Sequence, residues 1–129
     1  MKEPKILIIE DDLPTIKLFE EVFRMAGLNI EILDTGKKAI ERIIEIKEGK
    51  KEKPALILLD LILPDMNGVS ILKEAKKYPE TKDIKIFALT NYSNPEINQE
   101  LTKEGIDKIL IKSQYSLKEL INIIKENLK

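Results

Sequence analysis

The chain has 129 residues and a net charge of −1 from 22 basic and 23 acidic side chains, and it contains neither cysteine nor histidine. This length suits one domain, and the balanced charge does not indicate binding to nucleic acid or to a membrane surface. The missing residue types exclude disulfides, a Ser-His-Asp triad and histidine metal ligands within this chain. We find no signal peptide and no apolar run of membrane-spanning length, so we expect a cytoplasmic protein.

Five short apolar segments alternate along the chain with five segments in which apolar residues recur at helical spacing. The strands are predicted at residues 5–9, 29–33, 55–60, 84–89 and 108–111. The helices are predicted to begin near Pro14, Gly36, Gly68, Asn94 and Ser116. This alternation predicts an α/β fold, a flavodoxin-like (βα)5 three-layer sandwich. Its five-stranded parallel sheet should have the order 2-1-3-4-5, with a crevice between strands 1 and 3.

The predicted helices differ in the apolar surface that they offer to a core. The first helix has a core face of Ile16, Phe19, Phe23 and Ala26, and a second stripe of Leu18, Val22 and Met25. The second helix is carried by Ala39, Ile40, Ile43 and Ile44. The fourth helix offers chiefly Ile97 and Leu101, so we expect it to be held least firmly. In the last helix, Ile123 lies off the apolar stripe and is a candidate for a contact surface.

Polar residues follow four of the predicted strands. Glu10 and Asp11 end strand 1, Asp60 ends strand 3, Thr90 ends strand 4 and Lys112 ends strand 5. In a parallel sheet these ends share one edge, where ligands bind. Three carboxylates in one crevice repel each other, so at least one pKa should be raised. A hard divalent cation such as Mg²⁺ removes this conflict and accepts oxygen ligands.

The same edge offers the groups that an incoming phosphoryl group needs. Lys112 supplies a positive charge, Thr90 supplies a hydroxyl, and Asp60 can attack phosphorus to form an acyl phosphate. Each residue alone has an ordinary explanation, because strand ends commonly meet water, and Asp12 is expected only to cap the first helix. Their joint placement predicts a Mg²⁺-assisted aspartyl-phosphate site with Asp60 as the nucleophile.

Four segments of the chain resemble the receiver domain of two-component response regulators, namely residues 6–12, 58–68, 88–90 and 109–112. The resemblance extends over essentially the whole chain. It implies that Asp60 is the phosphoacceptor and that Thr90 and Lys112 contact the phosphoryl group.

The same resemblance implies a set of metal ligands. Asp11 and Asp60 would bind Mg²⁺ directly, Glu10 would act through water, and the backbone carbonyl of Ile62 would complete the protein ligands.

The resemblance also implies a signalling role for a single receiver domain over residues 1–129, acting alone without an output domain. The phosphoryl group would come from a sensor histidine kinase or a histidine phosphotransfer protein. The output would be contact with an unknown downstream protein through the face formed by helix 4, strand 5 and helix 5, and a homodimer on activation is left open. Such a chain catalyses its own phosphorylation and dephosphorylation, and we expect no turnover of a separate substrate.

The chain departs from the family pattern at three positions. Ser113 replaces the proline that usually follows the lysine in a cis bond, Ile109 replaces the switch aromatic, and Asn91 replaces a small residue after the threonine. These changes predict a loop after strand 5 that is looser or takes another path, a signal that uses no aromatic ring, and narrower phosphoryl access.

Three other functions share this fold class. Acidic residues 10–12 would repel the phosphate of a flavin mononucleotide, and a phosphatase would need a carboxylate where Ile62 stands. The remaining alternative is a receiver-like adaptor that binds its partner without phosphorylation.

Overall fold

The computed structural model describes residues 4–91 and 93–128. Five strands are present, β1 Lys5–Ile9, β2 Asn29–Leu33, β3 Leu56–Asp60, β4 Lys85–Thr90 and β5 Lys108–Ile111. They form one parallel sheet in the order β2-β1-β3-β4-β5. The predicted fold class and strand order are therefore confirmed.

Five helices connect and follow the strands, α1 Leu13–Met25, α2 Gly36–Lys47, α3 Gly68–Lys76, α4 Pro95–Lys103 and α5 Leu117–Asn127. Each begins where a polar side chain accepts a hydrogen bond from a first-turn amide, as helix starts require. Ser116 and Glu119 form the predicted capping box at the start of α5. None of the described helices is long and apolar enough to cross a bilayer.

Two apolar cores lie on opposite faces of the sheet. Leu56 and Leu58 of β3 pack with residues of α1 and α5, whereas Ile57 and Leu59 pack with residues of α2, α3 and α4. Successive strand residues point to opposite faces, so a strand covered on both sides must be apolar throughout. This is why residues 55–59 form an unbroken apolar run, and it confirms the three-layer sandwich.

The helices bury somewhat different residues from those that the spacing predicts. In α2, Ile46 is buried, whereas Ile40 and Ile44 are only half-buried. In α5, Ile123 is half-buried against the core between α1 and α5, so the prediction that it lies off the packed face is wrong. Ile123 is covered because the contact of α5 with the core is wider than one narrow stripe.

Helix α4 is attached to the core by very little surface. Among its nine residues, all of which the structure describes, Leu101 is the one that is fully buried. Ile97 packs against the core but is only half-buried, as is Asn98, and the other residues are exposed. The equally long α3 buries five residues, whereas α4 is attached chiefly through Leu101.

We predict that Leu101→Ala lowers the free energy of unfolding by about 2–5 kcal/mol, because it removes a fully buried leucine and leaves a cavity. Urea titration followed by circular dichroism measures this loss. Ile97→Ala, on the same helix but at a half-buried position, is the control and should lower the free energy of unfolding clearly less. If the two variants lost the same free energy of unfolding, this would contradict the description of Leu101 as the main anchor of α4.

Candidate functional site

The predicted site residues converge at the carboxyl edge of the sheet. Glu10 directly follows β1, and Asp60 is the last residue of the adjacent β3. Thr90 ends β4, and Lys112 directly follows β5, which pairs with β4. The parallel register therefore brings these four positions to one edge, on either side of the crevice between β1 and β3.

Thr90 and Lys112 approach this edge from different helical layers. Lys112 lines a cavity of about 260 Å³ together with Phe19 of α1 and Leu120 of α5. The buried Thr90 lines a smaller cavity of about 40 Å³ together with Ile97 of α4. The alternation of side chains along neighbouring strands produces this division. A group bound at the edge is thus within the reach of residues from both layers.

Three carboxylates come close together in the crevice. Glu10, Asp11 and Asp60 each offer an oxygen atom, and these atoms all lie within 4.8 Å of one another. Burial, followed by the neighbouring Glu10 carboxylate, raises the pKa of Asp60 to about 7. This confirms the predicted raised pKa at the site. The donor atoms are all oxygens, which suits a hard cation such as Mg²⁺.

Glu10 is a buried carboxylate with several hydrogen-bond partners. Its Oε2 atom accepts hydrogen bonds from the backbone amides of Asp11 at 3.1 Å and Asp12 at 3.2 Å. Its Oε1 atom accepts a hydrogen bond from the Nζ atom of Lys112 at 3.1 Å. The Glu10 side chain is only 2% exposed, so these partners compensate for its lost hydration. The structure therefore pairs Lys112 with Glu10, across the edge from β5 to β1.

The loop after β3 brings Ile62 next to Asp60. The Ile62 amide donates a hydrogen bond to Oδ1 of Asp60 at 3.2 Å. Ile62 also pairs with Asn67 in an isolated antiparallel bridge. The two hydrogen bonds of this bridge are formed by the residues that flank Ile62 and Asn67, not by these two residues themselves. Neither of those two bonds uses the Ile62 carbonyl. Hydrogen bonds thus fix the loop on both sides of the Ile62 carbonyl. This carbonyl is the group that the family resemblance assigns to the metal.

The three departures from the family pattern have defined positions in the structure. Ser113 lies in a short 3-10 turn over Lys112–Gln114, and the described residues contain no cis peptide bond. Ile109 is half-buried against the core on the α4 side of the sheet. Asn91 is exposed at a bend after β4. The segment directly after β5 is therefore a tight turn and not the looser loop, which is one of the two expectations.

Two further aspartates flank the site. Asp12 caps α1 by accepting a hydrogen bond from the Thr15 amide at 3.1 Å, as predicted. Asp65 accepts hydrogen bonds from the amides of Gly36 and Lys37, at 2.8 Å each, and so joins the loop after β3 to the start of α2. Sequence reasoning missed this contact, because its partners are 28 and 29 residues away and leave no local pattern.

The fold and the acidic edge together define a receiver-type α/β domain. Residues 6–125 match the family model for the response regulator receiver domain, and the chain belongs to this family. The chain is 32% identical over 105 residues to sporulation initiation phosphotransferase F of Bacillus subtilis, covering 81% of this chain and 78% of that protein.

Solved structures of the family superpose closely. A CheY-like receiver domain protein from Methanospirillum hungatei has a TM-score of 0.82 at 28% identity, covering 98% of this chain and 94% of that one. The phosphorylated cyanobacterial phytochrome response regulator RcpA has a TM-score of 0.81 at 26% identity, covering 97% and 91% of the two chains. Receiver domains act in two-component signalling and usually bind Mg²⁺ at an acidic pocket.

We predict that Asp60→Asn stabilises the metal-free protein more at pH 8 than at pH 5. The raised pKa of Asp60, about 7, lies above that of the unfolded chain, so ionising Asp60 lowers stability as pH rises from about 4 through 7. Asparagine carries no such charge. Allowing for solvent screening, we expect Asp60→Asn to raise the free energy of unfolding by about 1–2 kcal/mol more at pH 8 than at pH 5.

Urea titrations in EDTA at the two pH values measure this difference. Asp83→Asn, which removes a carboxylate at an exposed position away from the site, is the matched control to which Asp60→Asn is compared at each pH. A gain for Asp60→Asn that is the same at both pH values would contradict the raised pKa.

Proposed function

We propose that the chain is a phosphoacceptor, which takes a phosphoryl group onto Asp60 in a Mg²⁺-dependent reaction. The observation that supports this most directly is the crevice itself, where Asp60 lies within 4.8 Å of two further carboxylates and beside the Lys112–Glu10 pair. Family membership supports the same role. The phosphoryl donor is another molecule, a sensor histidine kinase or a histidine phosphotransfer protein, because this chain has no histidine.

The residues present fit a magnesium ion. Asp11, Asp60 and the Ile62 carbonyl would hold it, and Glu10 would act through water because Lys112 and two amides already engage its oxygens. Bound at this edge, the ion supplies positive charge that offsets the carboxylates and the phosphoryl oxygens. This small number of protein ligands is typical for Mg²⁺, which keeps several waters.

The transfer step uses groups of this chain. A carboxylate oxygen of Asp60 forms a bond to phosphorus while the bond from phosphorus to the donor's imidazole nitrogen breaks, and the imidazole leaves. Lys112 moves from Glu10 to the phosphoryl oxygens, whose charge is larger and more exposed. The Thr90 hydroxyl donates a hydrogen bond from the α4 side. The product is an acyl phosphate, and no separate substrate is turned over.

The signal would leave the domain through α4, β5 and α5. Drawing Thr90 toward the phosphoryl group changes the packing next to Ile109 and Ile97, on the side of the sheet that holds α4. Because α4 is anchored chiefly by Leu101, its position is the easiest to bias by a charge added at the edge. A downstream protein would read this change through direct contact.

The donor protein would dock on α1. Of the predicted stripe of Leu18, Val22 and Met25, Leu18 and Met25 are exposed, at 44% and 81%, whereas Val22 is half-buried against the core. Leu18 also lines the cavity between α1 and α5 that Lys112 borders. An apolar helix seated along this stripe would therefore bring its phosphohistidine to the acidic edge.

We predict that incubation with acetyl phosphate and Mg²⁺ adds one phosphoryl group, seen as a gain of about 80 Da in intact mass. The gain should be absent in EDTA and in Asp60→Asn. Asp34→Asn, which leaves the nucleophile in place, controls for a general effect of replacing a carboxylate near this edge, because Asp34 is exposed after β2 and pairs with Lys38. The gain should persist in that control.

The outcome separates the candidate functions. A gain that also occurs in Asp60→Asn would contradict Asp60 as the acceptor. If neither acetyl phosphate nor a phosphorylated histidine phosphotransfer protein modifies the wild type, the phosphorylation-independent adaptor replaces this proposal.

We predict that Leu18→Lys and Met25→Lys slow transfer from a phosphorylated kinase at least about tenfold, since a charge in a docked apolar stripe is poorly tolerated. Transfer from acetyl phosphate should be unchanged, because that donor needs no docking. Gln99→Lys adds the same charge at an exposed position on α4 and serves as the control. Rapid-quench assays measure both rates, and equal slowing with both donors would refute the docking role.

A further inference from the structure

The loop between β3 and α3, residues 61–67, is fastened to the molecule at two ends. Near its start, the Ile62 amide donates to Asp60, and the Ile62–Asn67 bridge closes the loop on itself. At its tip, both carboxylate oxygens of Asp65 accept hydrogen bonds from the amides of Gly36 and Lys37 at 2.8 Å. The loop therefore connects the acidic edge to the first turn of α2.

The contact with α2 is tight as well as polar. A Cβ atom on Gly36 would lie 2.2 Å from Cγ and 2.6 Å from Sδ of Met66. Any larger residue at position 36 would have to displace the Met66 side chain from this place. The amides of Gly36 and Lys37 belong to the unpaired first turn of the helix, and they favour a negative partner. Adjacent residues Asp65 and Met66 thus fix the loop tip by charge and by shape.

Helix α2 has a separate N-cap that does not involve the loop. The Thr35 hydroxyl accepts a hydrogen bond from the Lys38 amide at 3.1 Å. This cap starts the helix with local residues alone. The bonds of Asp65 are therefore additional to the usual helix start, and they act on the position of the loop that carries Ile62.

We propose that Asp65 is a positioning residue, which holds the Ile62 backbone beside Asp60 and so couples Mg²⁺ binding at the acidic edge to the first turn of α2. This inference rests on the proposed function, since Mg²⁺ is the ligand concerned. The coupling is reciprocal by thermodynamic linkage. A loop held by Asp65 binds the ion more tightly, and a bound ion strengthens the bonds from Asp65 to the amides of α2.

The first test measures the Mg²⁺ dissociation constant by calorimetry, at constant ionic strength. Asp65→Ala should weaken binding about fivefold or more, the usual lower range of coupling between two sites. Gly36→Ala should weaken binding similarly, because it displaces Met66 without changing any charge.

Two controls separate this effect from its simpler explanations. Asp34→Asn removes a negative charge from a neighbouring exposed residue, which pairs with Lys38 instead of the loop. Thr35→Ala removes the local cap of α2 and destabilises the helix start. Both controls should bind Mg²⁺ close to the wild-type affinity.

The second test follows hydrogen exchange, first without metal and then with Mg²⁺. Amide hydrogen exchange, measured by NMR in EDTA, should be about tenfold faster at Leu63 in Asp65→Ala than in Thr35→Ala, because only the former releases the loop. In the wild type, Mg²⁺ should slow exchange at Gly36 and Lys37, and Asp65→Ala should remove this response. Thermal unfolding confirms that each variant is folded.

The outcomes are distinct for the two proposals. If the wild type binds no Mg²⁺, both the proposed function and this coupling fail. If the wild type binds Mg²⁺ but Asp65→Ala and Gly36→Ala bind it as the controls do, only the positioning role is overturned. Unchanged Leu63 exchange in Asp65→Ala also overturns it, whatever the affinity.

Discussion

The burial of carboxylates at the ends of two adjacent strands, together with the repulsion between them, is the constraint on which the site depends. The apolar cores on both faces fix β1 and β3 side by side, so Glu10 and Asp60 cannot move apart. Glu10 is compensated by Lys112 and by two backbone amides, whereas Asp60 shifts its pKa to about 7. The fold supplies the rigidity, and it holds three carboxylates in an arrangement whose oxygen atoms suit a hard cation.

Much of this arrangement could be predicted from local sequence patterns. Strand and helix positions follow from apolar periodicity, and the site follows from the rule that parallel strands end at one edge. The pairing of Lys112 with Glu10 and the contact of Asp65 with α2 could not be predicted, since they join residues 102 and 28–29 positions apart. The burial of Ile123 was also missed, because periodicity indicates a face but not how wide its neighbours make it.

The two layers of helices take different parts in the site. The layer of α1 and α5 contacts the edge through Lys112 and a groove that ends there. The layer that includes α4 contacts it through Thr90. A group bound at the edge would therefore adjoin two helical layers that are separated by the sheet, and each layer presents a different surface to other molecules. This division follows from nothing more than the alternation of side chains along a strand.

The sparse burial of α4 also affects how the protein can change over evolutionary time. Substitutions at exposed helix positions away from caps and core contacts usually alter stability by less than about 0.5 kcal/mol. Most of α4 consists of such positions, so its outer surface can diversify while the core and the acidic edge stay intact. New binding partners could be acquired there at little risk to folding, whereas the same number of changes in α3 would disrupt the core.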